Sequence, residues 1–246
     1  MLSISIVSHR QAGLVHDLLS DIKRLCVPAP LEVILTVNVP ETLLFAPKEY
    51  PFEFVVLNNG SPRGFGANHN AAARRARGEF FCVLNPDIRF RENPFPPLLK
   101  LLADESVGAV SALVVGPHGA MEDHARRFPR VATLLQKAFL GTRQDYPGLT
   151  GSVHSVEWIA GMFMLFRSAV FRKIGGFDER YFLYYEDVDL CARLRAARYD
   201  IRVEPAARVA HDARRESRRN VRHMAQHLAS MLRYLFTRPR SLPPLG

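Results

Sequence analysis

Between Leu2 and Val115 the apolar residues switch repeatedly between two periods, and this switching limits what the chain can fold into. Leu2 to Ser8 reads as a strand. Leu14, Val15, Leu18, Leu19, Ile22 and Leu25 then recur at helical spacing, and Leu31 to Val37 is a second apolar, β-branched run. Phe52 to Leu57 reads as another strand, Ala67 to Ala76 as an alanine-rich helix and Glu79 to Leu84 as a strand; Pro97 to Ala103 is a helix leading into the strand Val107 to Val115. Parallel strands need crossover helices, so the expectation is an α/β fold, a mixed and mostly parallel sheet flanked by helices.

The segment from Gly116 to Ser155 breaks the alternation. Pro117, Gly119, Pro129, Pro147, Gly148 and Gly151 interrupt it, leaving room for one helix around Val131 to Phe139. A long irregular excursion inside a compact domain is commonly a binding loop, and here it is expected to form the acceptor-side surface. A strand from Val156 to Phe166, helices over Ser168 to Ile174 and Asp187 to Arg198, and short strands around Ile201 and Val209 follow. Residues 1–215 read as one domain and residues 216–246 as a basic amphipathic helix and tail.

Open sheets of this kind bind ligands outside the carboxyl ends of their strands. Ser8, His9, Asn38, Asn58, Asn59 and the run Asn85-Pro86-Asp87 all fall there. Asp87 is a candidate ligand for a hard divalent cation, which one or two carboxylates plus substrate phosphates can hold; taken alone, Asn-Pro-Asp is more often a turn. Glu186-Asp187-Val188-Asp189 gathers three carboxylates between the aromatic stretch Tyr181 to Tyr185 and a helix. One of them could be a general base, and all could simply cap the helix. His211 ends a short strand and could complete a metal site, although a lone histidine is more often structural. Arg63 to Asn70 opens a helix with Gly64, Gly66 and Asn68, a start that suits a phosphate or a tight packing loop.

Cys26, Cys82 and Cys191 lie far apart in apolar segments, which points to buried thiols and away from a zinc cluster or disulfide framework. No apolar run reaches the roughly 18 residues of a membrane span, and no cleavable leader is readable, so a cytoplasmic protein is expected. The net charge of +9 arises from 33 Lys and Arg against 24 Asp and Glu, with Arg214, Arg215, Arg218, Arg219 and Arg222 clustered late in the chain. An anionic neighbour is implied: a pyrophosphate, a membrane surface or nucleic acid. Aromatic residues are sparse in the basic cluster, which ranks nucleic acid last and gives the expectation of no nucleic-acid partner.

Four segments together resemble the family 2 glycosyltransferases of GT-A fold, particularly their rhamnosyltransferase-like branch. They are Ile6 to Arg10, Gly64 to Asn70, Leu84 to Asp87, and Gly175-Gly176-Phe177-Asp178-Glu179 running through Tyr185 to Cys191. The resemblance implies an inverting transferase that moves a sugar from a dTDP or UDP donor to a glycan or lipid-linked acceptor hydroxyl in cell-surface polysaccharide synthesis, using Mg2+ or Mn2+. It places Asp87 at the last position of the metal motif, Asp187 at the catalytic-base position and His211 in the metal shell. It also implies nucleotide-sugar contacts at Ser8, His9, Asn38, Asn68, Asn85, Asp87, Trp158, Gly161 and Glu186. Two positions depart from the family pattern: Asn85 replaces the first aspartate of the metal motif, and Asn38-Val39-Pro40-Glu41 stands where relatives carry Asp-x-Ser.

A rival reading is a non-catalytic nucleotide-sugar-binding or membrane-docking scaffold. Met224, Leu228, Met231, Leu232, Leu235 and Phe236 recur at helical spacing, which fits a helix lying on an anionic membrane surface at the inner face of the cell membrane and fits equally a terminal helix packed on the domain. A sugar nucleotidyltransferase would need a glycine-rich, lysine-bearing loop that Ser8 to Gln11 does not supply.

Overall fold

Strand β1 (Leu2–Ser8) is central to the sheet because every residue but one is buried on both faces, as a parallel strand requires. β2 (Leu31–Val37) and β4 (Phe80–Leu84) flank it in parallel, and β3 (Glu53–Asn58) extends the sheet beyond β2. β10 (Phe163–Arg167) then runs antiparallel between β4 and β6 (Val107–Val115). β11 (Asp200–His211) returns parallel to β6, and β5 (Ile88–Phe90) and β8 (His154–Ser155) pair antiparallel with it. The result is a mixed sheet whose longest ladders are parallel. Structure is described for residues 1–27, 29–117, 119–129, 146, 148–211 and 221–237 of a computed structural model. The expected helix around Val131 to Phe139 lies outside those residues, as do Arg214, Arg215, Arg218 and Arg219.

Helices cover both faces. α1 (Ala12–Leu25) lays Val15, Leu18, Leu19 and Ile22 on one face, where α3 (Phe95–Leu101) joins it through Phe95 and Leu98. The other face is packed by α2 (Phe65–Ala73), α4 (Ser168–Lys173) and α5 (Glu186–Ala196) through Ala72, Phe171, Leu190 and Leu194. The last described helix, α6 (Val221–Thr237), joins this second core through Tyr234.

Two expectations are corrected. The strand placed over Val156 to Phe166 is split into β9 (Trp158–Ile159) and β10, because the backbone at Gly161 turns its N–H to a side chain. β9 pairs with β7 (Ala125–Arg126) in a small second sheet that brings the excursion back to the strand ends. Conversely, the short strands around Ile201 and Val209 are one strand. Pro205 cannot donate to a ladder, and a register shift between Glu204 and Arg208 carries β11 past it.

Candidate active site

The carboxyl ends of β1, β2 and β3 are joined by amides. Asn59 Nδ2 donates to Asn38 Oδ1 at 2.8 Å and to Asn68 Oδ1 at 2.7 Å. The Arg63 N–H donates to Asn38 Oδ1 at 2.8 Å, and Asn38 Nδ2 and Asn68 Nδ2 return bonds to the Arg63 carbonyl at 3.0 and 3.2 Å. Asn38 and Asn68 therefore hold the Arg63 loop, with His9 at the edge, its Nδ1 3.3 Å from Asn38 Nδ2. Ser8 is buried; its Oγ accepts the Gln11 N–H and its carbonyl accepts the Asn38 N–H. His9 remains exposed. Glu41 was not singled out as a site residue, yet its carboxylate accepts the N–H groups of Arg10 and Ala12 at 3.1 and 2.9 Å, filling the start of α1. Only its distance from Arg10 in sequence hid that contact.

The Gly-Phe-Gly opening of α2 is a packing device. A Cβ at Gly66 would stand 2.6 Å from the Phe177 Cβ, and one at Gly64 2.7 Å from the Phe182 carbonyl oxygen. The Phe65 N–H donates to that same carbonyl at 2.9 Å. Asn70 accepts the Phe177 N–H at 2.9 Å and donates to the Phe177 carbonyl at 2.8 Å. Two of the four segments that carried the resemblance are thus one structural unit, with α2 gripping the segment that leads into α5.

At the end of that segment Tyr184 and Tyr185 take left-handed φ values of 69° and 68°. Such conformations persist only where the surroundings impose them, at a cost of about 1–3 kcal/mol each. They throw Glu186 and Asp187 onto the first turn of α5. The Asp187 carboxylate accepts the Gly161 N–H at 3.0 Å and the Val188 N–H at 2.8 Å. Burial raises its pKa, and these two N–H groups and the Arg126 charge offset part of the rise. Glu186 is buried, and its Oε2 has no partner among the described residues. Burial pushes its pKa well above the ordinary value, and the Asp187 charge adds to the shift. Burial thus disfavours the charged form of both carboxyls, and of the two only Asp187 is met by backbone N–H donors from Gly161 and Val188.

Asp87 stands just past β4. Its Oδ2 lies 3.2 Å from His211 Nε2, and its Oδ1 is buried with no partner among the described residues. The neighbouring Asn85 N–H donates to the Met162 carbonyl at 3.0 Å, one residue from Gly161, so Asp87, His211 and Asp187 share one rim of the sheet. Among the described residues no group of three or more His, Cys, Asp or Glu side chains is arranged to hold a metal ion by itself. The donor set still fits a hard divalent cation, which takes its remaining oxygens from phosphates and water. Trp158 is buried: its indole N–H donates to the Arg127 carbonyl at 3.0 Å, and the Arg126 guanidinium lies 5.5 Å from its ring. Its contribution is to seat Arg126, itself ion-paired with Asp123.

Against this geometry the comparisons are specific. The sequence model of glycosyl transferase family 21 matches residues 52–238. Rhamnosyltransferase WbbL of Escherichia coli (strain K12) is 30% identical over 96% of this chain and 92% of its own length. The chain belongs to this glycosyltransferase family. It is a family 2 enzyme of the rhamnosyltransferase-like branch, as its motifs suggested. The N-acetylglucosaminyl-diphospho-decaprenol L-rhamnosyltransferase of Mycobacterium tuberculosis (strain ATCC 25618 / H37Rv) is 32% identical over 66% of this chain, which spans 56% of that relative. Among solved structures, GalNAc-T7 with UDP, GalNAc and Mn2+ superposes with TM-score 0.70 at 15% identity, covering 96% of this chain and 47% of that one. The mannosyltransferase PcManGT from Pyrobaculum calidifontis, in complex with GDP-Man and Mn2+, gives 0.66 at 18% identity over 99% of this chain and 66% of its own. At these identities the likeness shows the fold, and the fold is GT-A.

Proposed function

We propose that this glycosyltransferase moves a rhamnose-type sugar from a dTDP or UDP donor to the hydroxyl of a glycan or lipid-linked glycan acceptor, with inversion at the anomeric carbon. The reading rests on one observation: the adjacent buried carboxyls Glu186 and Asp187 share a sheet rim with the Asp87–His211 pair. Two relatives are named rhamnosyltransferases, which supports the sugar, and one name includes a lipid diphosphate, which supports the acceptor.

Asp187, oriented by Gly161 and Val188, accepts the acceptor hydroxyl proton as that oxygen bonds to the anomeric carbon and the carbon–diphosphate bond breaks. Asp87 and His211 would hold Mg2+ or Mn2+, which supplies positive charge to the departing diphosphate. Ser8, His9, Asn38, Asn68 and Asn85 line the strand ends on the donor side, while Gly161 and Glu186 border the sugar. Residues 1–215 are assigned to catalysis, and residues 216–246 are a basic appendage that includes α6. A non-catalytic scaffold is disfavoured because it has no use for two adjacent buried carboxyls, whose burial lowers stability.

The test is direct transfer. The full chain, incubated with dTDP-rhamnose or UDP-sugars, Mn2+ or Mg2+ and a lipid-diphosphate-sugar acceptor, should yield a product of inverted anomeric configuration. Retained configuration, or turnover unaffected by Asp187→Asn, overturns the reading.

A further inference from the structure

The two faces of α6 differ in kind. Its inner face is held against the segment preceding the acid pair. Ser230 Oγ donates to the Leu183 carbonyl at 2.9 Å, the His227 ring lies 5.3 Å from those of Tyr184 and Tyr185, and Tyr234, fully buried, lies 5.7 Å from Tyr185. Of the two tail arrangements the sequence allowed, the packed terminal helix is therefore present. Its outer face, however, is not polar. Met224, Leu228, Leu232 and Phe236 are 69%, 52%, 45% and 87% exposed, and they recur every fourth residue along about 18 Å of helix. Four of the nine large hydrophobic side chains exposed among the described residues thus fall on this single helix. A stripe of that kind marks an interaction surface.

The charge carried by this stretch of sequence argues for the occupant. From Ser217 to Gly246 the sequence carries six arginines and neither aspartate nor glutamate. Two copies pairing through the stripe would bring two acid-free, arginine-rich segments together, which is unfavourable. An anionic bilayer surface suits both features, taking the apolar stripe among its acyl chains and offering headgroup charge to an arginine-rich, acid-free stretch of sequence. No helix among the described residues is long and apolar enough to cross a membrane, so attachment through α6 lies in the plane of the interface.

We infer that the outer face of α6 docks this protein on an anionic lipid surface, with the same helix backing the active-site segment from behind. The inference goes beyond the catalytic reading and does not depend on it. Docking would hold the rim that carries Asp187 at a fixed attitude to the membrane, where a lipid-linked acceptor presents its sugar.

Flotation of the full chain tests this, using vesicles of phosphatidylcholine alone and vesicles with phosphatidylglycerol added, at low and high salt. The protein should float with the anionic vesicles at low salt and be released by high salt. Leu228→Glu with Phe236→Glu should lower the floated fraction about tenfold or more without changing the melting temperature. Met224→Gln with Leu232→Gln serves as a second pair should the first misfold. Wild-type protein that stays at the bottom with anionic vesicles overturns the inference. So does a variant pair that floats as well as wild type, or a dimer in sedimentation that the substitutions dissolve while lipid binding is absent. Transfer to a water-soluble acceptor, measured on the same variants, separates failure of docking from failure of the catalytic assignment.

Discussion

Asp87 and His211 lie 124 residues apart in the chain and 3.2 Å apart in space. Antiparallel pairing brings them together: Val209, Ala210 and His211 register with Phe90, Arg89 and Ile88, so the end of β11 is delivered beside the residue that precedes β5. The site is built by a strand pairing at the edge of the sheet.

Asp87→Ala and His211→Ala should each raise the Mn2+ concentration needed for half-maximal transfer by about tenfold or more, the scale seen even for groups one step behind a metal. A titration of activity against metal, with donor binding followed by calorimetry, checks it. An unchanged metal requirement in both variants removes the pair from the metal shell.

Asp187→Asn keeps the shape of the side chain and removes its basicity. Transfer should fall by about 10²–10⁴, the usual contribution of a general base, while the donor Kd stays near wild type. Single-turnover assays alongside calorimetry distinguish this from lost binding.

The pH profile carries the sign of the Asp187 shift. Only the ionised carboxylate accepts a proton, and burial raises the pKa above the ordinary 3.8. The acid limb of kcat/KM should therefore lie above the normal aspartate range, with activity lost as pH falls through it. Arg126 favours the anion, so Arg126→Gln should move that limb to higher pH. A limb that does not move places Arg126 outside the electrostatics of the base.

Glu186 makes a separate prediction about stability. Its folded pKa is raised well above 4.5, so its contribution is fully present below that value and is lost as pH rises through the folded one. Glu186→Gln should match wild type in acid and become the more stable protein as pH increases. Urea melts at several pH values measure the difference, and parallel curves would contradict the assignment.

Gly66→Ala forces a methyl group against Phe177, a contact between a helix and a pinned backbone that cannot easily yield. A loss of about 1–3 kcal/mol is expected from such overpacking, read by urea denaturation. A neutral substitution would mean that α2 and the Phe177 segment separate more readily than the structure shows.

Local patterns settled much of this protein in advance. The alternation from Leu2 to Val115 specified β1, α1, β2 and β6 at or near their observed limits, because a parallel strand buried on both faces leaves an unbroken apolar run and a covering helix leaves a stripe. The motifs around Asp87, Phe177 and Asp187 were equally legible, and with them the family. The structure adds which groups within the chain several of these polar side chains touch. Asn38 and Asn68 fall at strand ends, as a ligand contact would, yet their amides are engaged in holding the Arg63 loop. Trp158 occupies a strand bordering the site, yet its N–H is turned inward to Arg127.

The sequence by itself determined most of the longer elements, their order and the identity of the chemistry-bearing side chains, since periodicity and residue type are local properties. Only the tertiary structure decided that Gly161 would orient Asp187, that burial would raise the pKa of both Glu186 and Asp187, and that α6 would press one face on the active-site segment while leaving an apolar face outside. Each of those depends on which distant backbone or side chain arrives within hydrogen-bond or packing distance, and that is a property of the assembled sheet.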